Sequence, residues 1–358
     1  MKINLTPTDD FDLALSSNRQ SGTEFILTPG IYKTKGNWFY SDWNSLAPGC
    51  KLYGNGSTLL LDSAAVVKSV NGVVRPDRDL NVLWTGANTT IENLIIDGNE
   101  SMFVNATDAS KTWFVTSGLR SAGKLTATNI IVQNIRGTFA GVGTLTKEIE
   151  SFGISTFGSD GGSTITNCIV QNCPENSYVS AISVGHFGVN VAKSVVLNCK
   201  VNVGKNNWFG FGINCNVYVS NSEVINGPRI GIYNDTNVAE NCTIENCKFS
   251  NIDKLISLII PPGAVNYKKN IRVKGCTAGF NAGVAKHLVE MWDQNGDAAT
   301  VKRQQGPLLI QNTTVTLADL TTKLYVATVG SDIRPISIVD CSIPVALENI
   351  AGNMLTIF

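Results

Sequence analysis

The chain of 358 residues carries no net charge, because 28 Lys and Arg are balanced by 28 Asp and Glu. A neutral chain has no long-range field to gather nucleic acid or an anionic membrane. Neither is expected as a partner, and any acidic ligand has to be held by local charges. No apolar run approaches the roughly 18 residues of a membrane span. The opening MKINLTPTDDF also lacks the apolar core of a secretory leader. The expectation is a protein that stays where it is made unless a leader was removed. Only two histidines are present and no cysteines are spaced CxxC, which leaves a structural zinc site without support. GNGS at 54–57 lacks the spacing of a phosphate loop. No cofactor motif is evident, and Ca²⁺ is the one ion left open, without a recognisable site.

What the chain does have is an echo. Residues 163–173 read STITNCIVQNC and residues 237–247 read NVAENCTIENC, with weaker copies at TIENLIIDGN from Thr90, TATNIIVQNI from Thr126, LLIQNTTVTL from Leu308 and SIVDCSIPV from Ser337. Aligned as apolar-x-Asn-x-x-apolar, the copies give a corner series of Asn93, Asn129, Asn167, Lys193, Asn221, Asn241, Gly275, Asn312 and Asp340. Most of these residues tolerate a left-handed turn. Apolar residues stand two before and three after each corner, which means two short strands joined by a tight bend. A third strand lies between copies, at SFGISTFG from Ser151, VSAISVG from Val179, WFGFGIN from Trp208, RIGIYND from Arg229, LISLII from Leu255, HLVEMWD from His287 and KLYVATVG from Lys323. Three strands per turn, stacked coil on coil, predict an all-β parallel β-helix of about ten or more coils. It is expected to be one domain over 1–358, with a cap and first coils to 62, Asn-cornered coils over 63–345 and a C-terminal end over 346–358.

The asparagines are expected to stack as an amide ladder inside the corner. That would bury the acceptors Asn241-Cys-Thr and Asn312-Thr-Thr and, with the thiol-rich core, favour a bacterial or phage origin. The nine cysteines, an odd number in a long chain, read as small buried apolar side chains. They are expected to stay free, although Cys173 with Cys199, or Cys242 with Cys276, would come close. DDFDLALSSNRQ predicts a short Asp-capped helix covering the apolar end of the stack, followed by coil strands in EFILTPGIYKT and CKLYGNGSTLLLD.

An N-terminal helix, then FILTPGIYKT, then LAPGCKLYGNGSTLLLD, then Asn-cornered coils to the end resembles the right-handed β-helix proteins of the pectin-lyase-like superfamily. The resemblance covers nearly the whole chain and implies that fold. Members include pectate and alginate lyases, polygalacturonases, uronan epimerases and phage tailspike depolymerases, and some members are not enzymes. Polygalacturonases carry NTD, an Asp pair, GHG and RIK in order. Here GSDGG stands at 158–162, GHFG at 185–188 and RIG at 229–231, with no NTD, a single Asp160, Phe187 interrupting the GHG and Gly231 in place of the Lys.

On such a fold, chemistry is expected on the outer face of the third strands. One outward column is read as Gly153, Ala181, Gly212, Gly231 and Ser257, a shallow floor, and the next as Ser155, Ser183, Asn214, Tyr233 and Ile259. Arg229, Tyr233 and Asp235 alternate on one strand, with Asp160 and His186 past the strand ends of earlier coils. Such a set is suited to abstracting a proton alpha to a uronate carboxylate, with Arg229 neutralising the charge and Tyr233 or His186 moving protons. Ser155, Ser183, Asn214, Trp208 and Lys147 are the expected substrate contacts, the indole by stacking on a sugar ring. His287, Glu290 and Asp293 form a second polar set, with Glu290 read as facing inward. The expected function is cleavage of an acidic polysaccharide by elimination or hydrolysis. The alternative is a non-catalytic glycan-binding or structural module, as a monomer or homotrimer.

Overall fold

The computed structural model describes residues 1–38, 45–62, 69–70, 73–74, 80–101, 116–137, 150–186, 191–234, 239–260, 268–283, 285–293, 307–329, 335–349 and 354–358. The chain winds as a parallel β-helix. Among the described strands the pairing is parallel and joins successive coils, except for the antiparallel pairs of Asn37–Trp38 with Leu80–Asn81 and of Ser69–Val70 with Val73–Val74. One sheet carries the two strands that flank each Asn corner. A second stacks ten third strands, from Leu80–Thr85 and Thr116–Ser121 through Ser151–Gly158, Val179–His186, Phe209–Ile213, Ile230–Asn234, Lys254–Ile260, Ala285–Asp293 and Lys323–Val329 to Leu347–Asn349. Among the described residues no helix is long and apolar enough to cross a membrane.

The predicted cap is present. Helix Phe11–Ser17 begins at Asp10, whose Oδ1 accepts from the Leu13 N–H at 2.9 Å, and it buries Phe11 and Leu15. A strand at Lys2–Leu5, not foreseen in the sequence, pairs with Glu24–Leu27 and closes the first coil.

The corner column in space is Asn93, Asn129, Asn167, Asn198, Asn221, Asn246, Gly275, Asn312 and Asp340. Thr166 pairs with Leu197, Ser220 with Glu245, and Glu245 with Lys274, each just before its corner. Two predicted corners, Lys193 and Asn241, are therefore five residues early. The cause is a second periodicity: left-handed asparagines recur every five residues, at Asn216, Asn221 and Asn226 and at Asn241, Asn246 and Asn251. The opening echo thus superposes in space as TITNC at 164–168 on TIENC at 243–247.

The ladder runs outside the corner. Asn129 Nδ2 donates to Asn93 Oδ1 at 2.9 Å, and Asn270 Nδ2 donates to Asn241 Oδ1 at 3.0 Å, all at exposed positions. Residues at −2 and +1, such as Ile165 and Cys168, both 0 % exposed, fill the inside of the bend and leave the corner side chain on the surface. The expectation that Asn241 and Asn312 are buried is thereby overturned, since both are exposed. The same five-residue shift makes Cys168 the neighbour of Cys199, and Cys247 the neighbour of Cys276, whose Sγ accepts from the Cys247 N–H at 3.4 Å. All nine thiols are free, and eight are buried. Burial pushes Cys173 up to about 12.

Candidate functional site

The third strands hold the site because they bend. Along each strand, register skips one residue: Phe152 pairs with Ser180 and Ile154 with Ile182, with Gly153 and Ala181 between. At this step two consecutive residues face the core. A Cβ on Gly153 would lie 2.6 Å from Val170 Cγ1, and one on Gly231 2.8 Å from Phe249 Cδ1. Ala181 is itself 0 % exposed. Three of the five residues of the predicted floor, Gly153, Ala181 and Gly231, therefore line the inside of a bend, while Gly212 and Ser257 face outward. Glycine and alanine sit there because large core side chains occupy the space opposite.

The outward column beyond the bend runs Trp84, Arg120, Ser155, Ser183, Gly212, Tyr233, Ser257 and Glu290. Ser155, Ser183 and Tyr233 stand where the sequence placed them. Gly212 and Ser257 replace Asn214 and Ile259, a slip of two residues that alternation cannot detect. On these strands a cavity of about 170 Å³ opens, lined by Arg120, Glu150, Ser155, Ser183, Asn214 and Tyr233 among others. At one end Arg120, 8 % exposed, lays its guanidinium 4.5 Å from the Phe152 ring centroid and within 5.9 Å of Phe157 and Trp84. Such contacts hold a cation in place while leaving it electrostatically competent. At the other end Phe209 stacks on Tyr233 at 4.9 Å and covers Gly212, where a Cβ would meet the Phe209 ring at 2.8 Å. Asn234 Nδ2 donates to Asn214 Oδ1 at 2.7 Å along the side. Glu150 Oε1 accepts from the Ser180 hydroxyl.

The other expected site residues lie elsewhere. Arg229 is half-buried at the strand entrance; the double inward step at Gly231 and Ile232 breaks its alternation with Tyr233. Asp160 is exposed beyond a strand end and accepts from Ser159 Oγ at 2.9 Å. Trp208 is half-exposed, edge-on to Tyr233 at 5.2 Å. Asp235 and Lys147 fall outside the described residues. Glu290 faces outward, contrary to expectation. Its oxygens accept from Lys254 Nζ and Ser257 Oγ, both at 2.6 Å. Among the described residues no group of three His, Cys, Asp or Glu could hold a metal ion.

His186 faces inward and is 0 % exposed. Its Nε2 lies 2.8 Å from Ser163 Oγ and 3.0 Å from Thr156 Oγ1. Ser163 Oγ also accepts from the Leu125 N–H at 3.0 Å. Burial pushes this imidazole below the ordinary histidine range; the Gly158 backbone, outside bonding geometry, and the Asp160 charge oppose the shift without offsetting it. The unfolded histidine takes its proton near pH 6.5, while the folded one resists until lower pH. Stability should therefore be full above about pH 6.5 and fall below it, by at most about 1.4 kcal/mol per pH unit for this group. Urea titrations between pH 5 and 7.5 should show that fall reduced in His186→Gln. His287, also lowered by burial, leaves a residual step of the same sign. An unchanged slope in the variant would contradict this placement.

Arg120, which the sequence reading missed, and Glu150 supply the charges of the cavity. A signal for Arg120 was present: SGLRS at 117–121 repeats the pattern of FGIST at 152–156 and FGFGI at 209–213, which places Arg120 in the column of Ser155.

No protein-family model matches the chain, and no curated protein matches it. Solved structures do. The mannuronan C-5 epimerase AlgE6 A-module of Azotobacter vinelandii is similar with a TM-score of 0.53 at 13% identity, over 99% of this chain and 95% of that one. An endo-xylogalacturonan hydrolase from Aspergillus tubingensis gives 0.52 at 12%, over 98% and 100%. A hyperthermoactive exopolygalacturonase from Thermotoga maritima gives 0.50 at 12%, over 95% and 86%. The chain shares the parallel β-helix fold with these three structures.

Proposed function

We propose that the protein acts on an acidic polysaccharide along the outer face of the third-strand sheet, with the reacting sugar held in the cavity between Arg120 and Tyr233. One observation carries this reading: a buried guanidinium, a carboxylate and a row of hydroxyls converge in a single cavity on a rigid sheet. Three structures of the same fold are named for mannuronan, xylogalacturonan or polygalacturonate chemistry, which supports the substrate class by analogy of fold.

In this reading Arg120 faces the sugar carboxylate and stabilises the charge that builds up when the neighbouring C–H proton leaves. Glu150 takes that proton, the ring gains a double bond as the C–O bond to the glycosidic oxygen breaks, and the departing oxygen takes the Tyr233 hydroxyl proton, which the protonated Glu150 restores through solvent. Elimination is favoured over hydrolysis because hydrolysis needs two carboxyl groups flanking the bond. Glu150 is the only carboxylate among the described lining residues. A second reading, glycan binding without turnover, draws on the outer apolar cluster of Phe209, Ile230, Tyr233 and Ile259, which suits a docked sugar or a second subunit.

The test is incubation with a panel of uronic-acid and neutral polysaccharides, with and without Ca²⁺, reading unsaturated-uronate absorbance and new reducing ends. Both signals together are expected. Reducing ends alone would replace elimination by hydrolysis. Silence on every polymer, with binding retained, would favour the module without turnover.

A further inference from the structure

We propose that Tyr178 is a positioning residue of the sugar site, held in a strained backbone conformation so that its ring braces Trp208 beside the cavity; this rests on the sugar-site reading above. Among the described residues, Tyr178 is the one non-glycine residue at positive φ that is neither Asn nor Asp, with φ 57°. A bulky side chain in this region is a true outlier, whereas asparagine reaches it at little cost. Among the described residues the fold uses Asn, Asp or Gly at its other left-handed positions, including Asn176 two residues earlier. The departure at 178 therefore asks for a reason in the side chain.

That side chain packs outward. The Tyr178 ring lies 4.6 Å from the Trp208 ring, Trp208 meets Tyr233 edge-on at 5.2 Å, and Tyr233 stacks on Phe209 at 4.9 Å. The four rings span three successive coils, tied by the Trp208 N–H donating to Val179 O at 2.9 Å and the Ile230 N–H donating to Trp208 O at 3.2 Å. Phe209 and Tyr233 line the cavity, while Tyr178 and Trp208 are half-exposed at its edge. Trp208 packs against the outer apolar cluster and not against the core. Strain kept where no core packing repays it marks a position selected for something other than stability. An indole fixed at the rim of a sugar cavity offers a flat apolar surface for the next ring of the chain. Tyr178 sets the tilt of that surface.

Tyr178→Asn and Tyr178→Phe test this, with binding of oligogalacturonates and oligomannuronates followed by tryptophan fluorescence and calorimetry, and melting recorded in parallel. Tyr178→Asn should melt no lower than the wild type, since asparagine relieves the backbone. It should bind about three- to tenfold more weakly, the worth of one aromatic contact. Tyr178→Phe should bind as the wild type does. Melting of Tyr178→Asn several degrees below the wild type, or unchanged affinity in it, would overturn the proposal while leaving the sugar site standing. Wild-type protein that binds neither oligomer would remove the sugar-site reading, and this inference with it.

Discussion

Gly231→Leu should lose at least about 3 kcal/mol of stability in urea titrations, and adding Phe249→Ala should restore much of that loss. A Cβ at position 231 would lie 2.8 and 3.2 Å from two atoms of the Phe249 ring and 3.0 Å from the Leu255 carbonyl oxygen. The carbonyl belongs to the stacked sheet and cannot move, and the ring, 1 % exposed, lies edge-to-face with Phe211 at 6.2 Å. The next coil shows how the space can be shared differently. There the bend position is Leu255 and the position paired with Phe249 is Ala278, both buried. Gly231→Leu with Phe249→Ala copies that arrangement one coil earlier. Phe249→Ala alone should cost about 3–5 kcal/mol through the cavity it leaves. The double variant should fall short of the summed losses by about 2 kcal/mol or more. Strict additivity would show that the bend residue and the corner strand do not share space.

This trade between large and small residues explains what the sequence reveals and what it conceals. Face is easy to read, because a buried column such as Ile91, Ala127, Ile165 and Val219 repeats in every coil and any error of two residues preserves it. Register is harder, because nothing in alternation distinguishes Gly212 from Asn214 or Ser257 from Ile259. The corners were legible in seven of nine coils. They failed at Lys193 and Asn241, where a five-residue Asn rhythm offers a second alignment with almost the same apolar spacing. The bend was not legible as a bend, since two consecutive inward residues break the strand rule and their small size reads as a surface floor. His186 was misplaced by neglect of that same rule, for it stands two residues after the inward Val184. Of the site, the hydroxyl row and Tyr233 were readable from strand parity. Arg120 was not placed, because it lies in a strand left out of the alignment.

Arg120→Met should reduce turnover or binding of a uronic polymer at least about a hundredfold, with a much smaller effect on melting. Methionine keeps most of the stem between the Trp84, Phe152 and Phe157 rings and removes the charge. Loss of function would therefore report the guanidinium and not a collapsed pocket. Because the cation is 8 % exposed, salt screens its attraction for a carboxylate less than it would screen a surface lysine. The wild type should keep most of its affinity for oligouronates between 50 and 300 mM salt, while Arg120→Met should be weak throughout. Arg120→Lys separates charge from shape. Lysine restores a positive end but not the planar fork that meets a carboxylate with two hydrogen bonds, so it should recover only part of the loss. Equal activity of wild type and Arg120→Met on a uronic polymer would remove Arg120 from the site and return attention to the Lys254, Ser257 and Glu290 network five and six coils along the same face.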